Sequence, residues 1–135
     1  MDRRGCVPSG KYFEGTATSM QRIAQTVRQL PPATLIWPGH EYTVSNLRFA
    51  ATIEPDNAAT ADALTAARTQ QLQRRATVPS TVAAELETNP FLRCHLPSVT
   101  ERVLGGTGDN DADHEERALL ALRAAKDAFR PPQEV

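Results

Sequence analysis

The chain has 135 residues, of which 40% are hydrophobic and 5% aromatic, and its formal net charge is -1. This length suits one compact domain with a buried core. The near-neutral charge argues against nucleic-acid binding, so the pairs Arg3-Arg4 and Arg74-Arg75 are interpreted as solvated surface charges. We expect a cytoplasmic or mitochondrial protein without a membrane span, because no apolar run is long enough for one and no signal-peptide core follows the first residues.

The first third of the chain predicts two helices separated by one strand. Apolar residues three and four apart predict an amphipathic helix over residues 16–30, which Pro31-Pro32 ends. An apolar run predicts a short buried strand over residues 34–37, and a Pro-Gly turn follows it. A second helix is predicted to begin after Tyr42. Because no second strand is evident, we expect this strand to be covered by the helices or by another chain.

The rest of the chain is predicted to be helical. Glu54-Pro55-Asp56-Asn57 is predicted to end the second helix and to cap a third over residues 58–75, where many alanines favour helix. A short fourth helix is predicted to start from a cap at Ser80 and to end where Asn89-Pro90 interrupts it. One convincing strand and several helices indicate a mostly helical protein.

Two further helices are predicted after Asn89-Pro90. The first begins at a capping box formed by Ser98 and Glu101. The second follows an exposed acidic linker over residues 108–116, whose carboxylates favour a helix N-terminus through the helix dipole. In that last helix, apolar residues at helical spacing predict a buried stripe that includes Leu119, Leu122 and Phe129.

Two constellations of reactive residues are interpreted as structural. Asp109-Asn110-Asp111-Ala112-Asp113 resembles the opening of a calcium loop, but His114 and Leu120 stand where such a loop needs glycine and glutamate. Cys94 and His95 are adjacent, and sequence neighbours rarely form a nucleophilic pair. The two cysteines, Cys6 and Cys94, are expected to be free thiols.

For two other features, a structural and a functional interpretation are both open. His40 follows the predicted strand, so it is either an exposed turn residue or a functional side chain held at a rigid strand end. Arg123 and Lys126 are three residues apart and share one helical face. They are either solvated charges or a cationic pair that binds a carboxylate.

Six separated motifs occur in the order Lys11-Tyr12-Phe13-Glu14-Gly15-Thr16-Ala17, Pro38-Gly39-His40-Glu41-Tyr42-Thr43, Glu54-Pro55-Asp56-Asn57, Val78-Pro79-Ser80-Thr81, Asn89-Pro90-Phe91-Leu92-Arg93 and Arg123-x-x-Lys126-Asp127-x-Phe129. This series resembles the C-terminal half of glyoxalase II, the hydroxyacylglutathione hydrolase family of the metallo-β-lactamase fold. The resemblance covers residues 10–129. The residues Leu35-Ile36-Trp37-Pro38-Gly39 are most similar to the sequence of a relative of that family, the paroxysmal nonkinesigenic dyskinesia protein.

The resemblance implies a chemistry and a set of site residues. In that family two metal ions, usually zinc, activate a hydroxide that attacks the thioester of S-D-lactoylglutathione and releases D-lactate and glutathione. His40 is similar to the last metal ligand. The implied contacts to the glutathione thioester are Lys11, Tyr12, Tyr42, Arg123 and Lys126. The family commonly has tyrosine where this chain has Phe13, which removes one hydroxyl from the substrate site.

The resemblance also implies a division of the chain. Residues 1–45 are expected to be a remnant of the metallo-β-lactamase domain, its C-terminal edge, and residues 46–135 the helical substrate-recognition domain. The fold class that the resemblance implies is therefore α+β and mostly helical. Only three histidines are present, so we expect this chain alone to be inactive, as a truncated isoform or incomplete gene product would be. The alternative is a non-catalytic module that binds glutathione or associates with a full-length relative.

Overall fold

The computed structural model describes residues 17–37, 42–105 and 112–130, and in these ranges the protein is mostly helical, as predicted. The helices are α1 (Ala17–Arg28), α2 (Thr43–Ile53), α3 (Ala58–Leu72), α4 (Val82–Thr88), α5 (Pro97–Leu104) and α6 (Ala112–Ala128), with a 3₁₀ turn at Pro90–Leu92. The described residues also form two short strands, β1 (Leu35–Ile36) and β2 (Ser80–Thr81). None of the described helices combines the length and apolar character that a membrane span requires.

The predicted strand has a partner within this chain, so the expectation that it lacks one is wrong. β1 pairs antiparallel with β2, with Leu35 opposite Thr81 and Ile36 opposite Ser80. The contact continues where the Val82 amide donates to the Thr34 carbonyl at 2.9 Å. β2 was missed because it consists of two small polar residues after a proline. The pairing ties the segment before α2 to the start of α4.

The helix ends follow the sequence in part. Asn57 caps α3 as predicted, because its side-chain oxygen accepts from the Thr60 amide at 3.3 Å. Thr81 rather than Ser80 caps α4, accepting from the Ala84 amide at 3.1 Å. A side-chain cap therefore begins each of these two helices, one of them a residue later than predicted.

The capping box predicted at Ser98 is wrong. Helix α5 begins at Pro97, a position that suits proline because the first amide of a helix has no intrahelical partner. The Ser98 hydroxyl instead donates to Glu54 Oε1 at 2.8 Å. The Ser98 hydroxyl therefore bonds to a buried carboxylate that is distant in sequence, and it does not cap the helix as the local pattern predicted.

The prediction of an acidic linker over residues 108–116 is wrong for residues 112–116. Residues 106–111 lie outside the described residues, and from Ala112 onward the chain is helical. Asp113 lies in the first turn of α6, where the helix dipole favours a carboxylate. His114 is 5% exposed and belongs to the buried side of this helix.

Two clusters of buried apolar side chains hold the helices together. The larger lies between α2, α5 and α6 and contains Phe49, Ile53, Phe91, Cys94, Val99, Ala118, Leu119 and Leu122. The smaller joins α1, β1 and α4 and contains Ala24, Val27, Ile36, Val82 and Leu92. The predicted stripe on α6 is confirmed, since Leu119 and Leu122 are almost completely buried and Phe129 packs against the larger cluster.

Glu54 at the end of α2 is a buried carboxylate that joins several elements. It accepts from Arg93 Nε at 2.7 Å and from Arg93 Nη2 at 3.0 Å, in addition to the Ser98 hydroxyl. Burial alone would raise the pKa of the Glu54 carboxyl, but the hydrogen bonds from Arg93 and Ser98 and the charge of Arg93 lower the pKa below its usual range. Since Arg93 also donates to the Leu86 carbonyl, this network links α2, α4 and the start of α5.

A second ion pair fixes α6 against α1. Arg28 pairs with Glu115, and its Nε donates to the Leu92 carbonyl at 3.0 Å. Gln21 Nε2 donates to the other carboxylate oxygen of Glu115 at 3.2 Å. Because α6 is held on one side by α1 and on the other by α5, the side chains that it carries have defined positions.

Candidate functional site

The two predicted cations of α6 lie on one face of the helix, each over an aromatic ring. Arg123 Cζ is 5.9 Å from the centroid of the Phe91 ring. Lys126 Nζ is 5.8 Å from the centroid of Phe49 and 5.7 Å from that of Phe129. A cation within about 6 Å of a ring face is attracted by the negative potential of that face. Both charged groups are therefore held at defined points above the core.

The three rings form one surface, which we call the aromatic platform (Phe49, Phe91 and Phe129). The centroids of Phe49 and Phe91 are 6.3 Å apart, and those of Phe49 and Phe129 are 5.6 Å apart. Phe49 and Phe91 are each 3% exposed, so the platform is part of the core rather than a mobile surface cluster. It carries both cations at once, which suits recognition of a single carboxylate by two positive groups.

Asp127 is a further polar group at this place that the sequence analysis did not assign. Arg123 Nε donates to Asp127 Oδ1 at 3.1 Å, and the Asp127 side chain is 62% exposed. The Arg123 side chain is 18% exposed. Because its carboxylate partner is open to solvent, a pair one helical turn apart contributes only about 0.3–0.5 kcal/mol, and a ligand carboxylate can compete with it. The spacing of four residues would have predicted this pair. The platform could not be predicted in this way, because its rings come from three separate elements.

Tyr42 precedes α2 and is the remaining predicted substrate residue that the structure describes. Its side chain makes no capping hydrogen bond to the helix and is 55% exposed, so it is accessible from solvent. Phe49 lies about two turns further along, within α2, and belongs to the platform. Helix α2 thus connects Tyr42 to the site of the cationic pair.

The other predicted site residues cannot be placed. His40, Lys11, Tyr12 and the departure at Phe13 lie outside the described residues. Within the ranges that are described, no group of three His, Cys, Asp or Glu side chains converges in a way that could hold a metal ion. The roles of these residues, including the metal-binding role of His40, therefore stay predictions.

Cys94 is a structural residue, in agreement with the sequence interpretation. It is a free cysteine, its side chain is completely buried, and its Sγ lies 3.2 Å from the Pro90 carbonyl oxygen as a hydrogen-bond donor. Burial raises the pKa of the Cys94 thiol far above its ordinary value, and the negative charge of Glu115 adds to the shift. A thiol held protonated in the core cannot serve as a nucleophile.

Comparison with known proteins assigns most of the chain to one family. Residues 41–129 match the family described as hydroxyacylglutathione hydrolase C-terminus. This match begins just after His40 and contains Tyr42, Arg123 and Lys126. The similarity to the paroxysmal nonkinesigenic dyskinesia protein stays a prediction.

Individual relatives extend the similarity over nearly the whole chain. A hydroxyacylglutathione hydrolase of Gloeobacter violaceus is 46% identical over 125 residues, which cover 93% of this chain and 46% of the relative. One of Neisseria gonorrhoeae is 44% identical over 126 residues, covering 93% of this chain and 47% of the relative. The cytoplasmic hydroxyacylglutathione hydrolase of Arabidopsis thaliana is 47% identical over 100 residues, which cover 73% of this chain and 38% of the relative. The chain therefore spans about half the length, or less, of these relatives.

Proposed function

Because the chain belongs to the hydroxyacylglutathione hydrolase family, whose C-terminal region it matches, we propose that its helical bundle forms the glutathione-binding side of a thioester hydrolase site. The substrate class is an acyl thioester of glutathione such as S-D-lactoylglutathione, which is hydrolysed to D-lactate and glutathione. The observation that supports this most directly is the cationic pair Arg123 and Lys126 on the aromatic platform.

The proposed binding follows from the charges of the ligand. Glutathione ends in a glycine carboxylate, and Arg123 and Lys126 supply an arginine fork and an ammonium group for it. When the carboxylate binds, it competes with the exposed Asp127 for Arg123. Tyr42 is proposed to contact the peptide part of glutathione from the start of α2, with Lys11 and Tyr12 as further contacts.

The reaction itself is proposed to depend on metal. A pair of metal ions, zinc in our proposal, would supply an activated hydroxide near neutral pH, and His40 is the residue of this chain that would hold one of them. The other histidines, His95 and His114, lie in or beside the helical bundle, and His114 is buried in α6. We therefore propose that residues 1–45 correspond to the edge of a metallo-β-lactamase sandwich and that a full-length relative, or its metal-binding half, contributes the remaining ligands.

Binding of S-methylglutathione, which cannot be hydrolysed, tests the carboxylate site. The chain would be titrated by calorimetry or NMR at low salt with this ligand and with its glycine amide, which lacks the carboxylate. Each cation is expected to contribute about 1 kcal/mol, so Arg123→Ala with Lys126→Ala should weaken binding by roughly 30-fold. The matched control, Arg22→Ala with Arg102→Ala, removes two exposed charges from α1 and α5.

The amide ligand separates a specific contact from general attraction between opposite charges. The unmodified chain should bind the amide about as weakly as the double variant binds S-methylglutathione. The double variant should not discriminate between the two ligands. Equal loss of affinity in the control variant, or a preference for the carboxylate that survives in the double variant, would reject these two residues as the carboxylate site.

A further inference from the structure

Three arginines line a recess that neither Arg123 nor Lys126 borders. The recess has a volume of about 790 Å³ and lies between the start of α2 and the end of α3. Its lining includes Arg48 from α2 and Arg74-Arg75 from the turn after α3. The described residues that line it include no aspartate or glutamate. Arg74 and Arg75 are exposed, as the sequence interpretation expected, but their position beside Arg48 was not predicted because Arg48 lies on another helix.

The backbone of Arg74 adopts a conformation that arginine disfavours. Its φ is 55°, in the left-handed region where glycine is the usual residue. The Arg74 amide donates to the Gln71 carbonyl at 3.0 Å and the Arg75 amide to the Gln70 carbonyl at 2.8 Å, the two bonds of a helix-ending motif that favours glycine at this position. An arginine at this position therefore gains nothing from local folding, although it adds a guanidinium group to the recess.

The first turn of α2 forms the opposite wall. Thr43, Val44 and Ser45 line the recess, and this turn has neither a side-chain cap nor an acidic residue of its own. Thr77 Oγ1 donates to Thr43 Oγ1 at 2.9 Å, which fastens the segment after Arg75 to this wall. The amides at a helix N-terminus add partial positive charge to that of the guanidinium groups.

We propose that this recess binds the phosphate group of a small soluble phosphate monoester. A carboxylate carries one charge and two oxygens. A phosphate monoester carries close to two charges at pH 7 and three terminal oxygens, and so matches several guanidinium groups together with the helix amides. The volume leaves room for an organic group beside the phosphate. Tyr42, which we propose contacts glutathione, also lines the recess, whereas neither Arg123 nor Lys126 does. The inference therefore rests on the three arginines and not on the carboxylate site.

Glycerol 3-phosphate is the probe, titrated into the ¹⁵N-labelled full chain at pH 7 and constant ionic strength. We expect saturable shifts of the amides of Thr43, Val44 and Ser45. Arg75→Gln should weaken binding at least fivefold, whereas Arg68→Gln, which removes an exposed charge from α3 outside the recess, should change the Kd less than twofold. Shifts that do not saturate, or equal weakening by Arg68→Gln, would overturn the proposal.

Arg74→Gly distinguishes a binding role from a structural one. Glycine suits the left-handed backbone, so this variant should keep or increase the thermal unfolding temperature while weakening glycerol 3-phosphate binding at least fivefold. Unchanged affinity in a folded Arg74→Gly variant would count against the proposal. A second experiment, co-sedimentation with vesicles containing phosphatidic acid, tests whether the recess binds a lipid phosphate instead. Binding to these vesicles without binding of glycerol 3-phosphate would also overturn it, because a soluble ligand is proposed.

Discussion

Removing the charge of Glu54 should destabilise the fold more than any exposed substitution. Glu54→Gln keeps one side-chain oxygen but cannot accept both bonds from Arg93, which lie at 2.7 and 3.0 Å. The two side chains are 7% and 19% exposed, so the arginine would be left largely buried without a counter-charge. Breaking a buried ion pair costs about 3–5 kcal/mol. The oxygen that remains and the partial exposure of Arg93 place the expected loss near the lower end, at about 3 kcal/mol.

The pH dependence of this loss tests its cause. A carboxylate whose pKa is lower in the folded state stabilises the fold above its unfolded pKa of about 4.3, and this stabilisation disappears as the pH falls through the folded pKa. The difference in unfolding free energy between the original chain and Glu54→Gln should therefore be largest at pH 7 and shrink as the pH approaches 3.

Urea unfolding followed by circular dichroism at several pH values provides the measurement. The control is Glu101→Gln, which neutralises an exposed glutamate on α5 and should change stability by less than about 0.5 kcal/mol. A Glu54→Gln effect as small as that of the control would refute the reasoning. So would an effect that does not diminish at low pH, because it would then arise from packing rather than from charge.

Two further predictions concern the cap of α3 and the buried thiol. Asn57→Ala removes the acceptor for the Thr60 amide and the hydrogen bond from Asn57 Nδ2 to the Glu87 carbonyl at 2.8 Å. This substitution should lower the free energy of unfolding in urea by about 1–2 kcal/mol. The control Arg68→Ala, on the same helix, should lower it by less than about 0.5 kcal/mol. In a Cys6→Ser variant, Cys94 should react with a thiol reagent only as fast as the chain unfolds, and immediate stoichiometric reaction in native buffer would contradict its burial.

The helices could be predicted because their signals are local. Periodic apolar residues and the Asn57 cap lie within a few positions of each other, so the sequence alone indicates where α1 and α3 begin or end. β2 could not be predicted, because two polar residues become a strand only by pairing with β1. Ser98 was misassigned for the same reason, since its partner Glu54 lies 44 positions away in sequence.

The candidate site shows the same division between local and distant information. That Arg123 and Lys126 share a face follows from helical spacing alone. Their placement over the aromatic platform does not, because α2, the 3₁₀ turn and α6 meet only in the folded chain. The arginine recess was missed because Arg48 and Arg74-Arg75 are separated by the whole of α3.

A chimera tests the central claim most directly, namely that this bundle supplies the glutathione-binding side of a thioester hydrolase. The part of the Gloeobacter violaceus relative that precedes its match would be fused to this chain, and hydrolysis of S-D-lactoylglutathione measured with metal present. We predict activity, and we predict that Arg123→Ala with Lys126→Ala raises KM roughly 30-fold with little change in kcat, because the cations bind a part of the substrate remote from the reacting carbonyl. A folded chimera without activity, or one whose KM is unaffected by these substitutions, would contradict the claim.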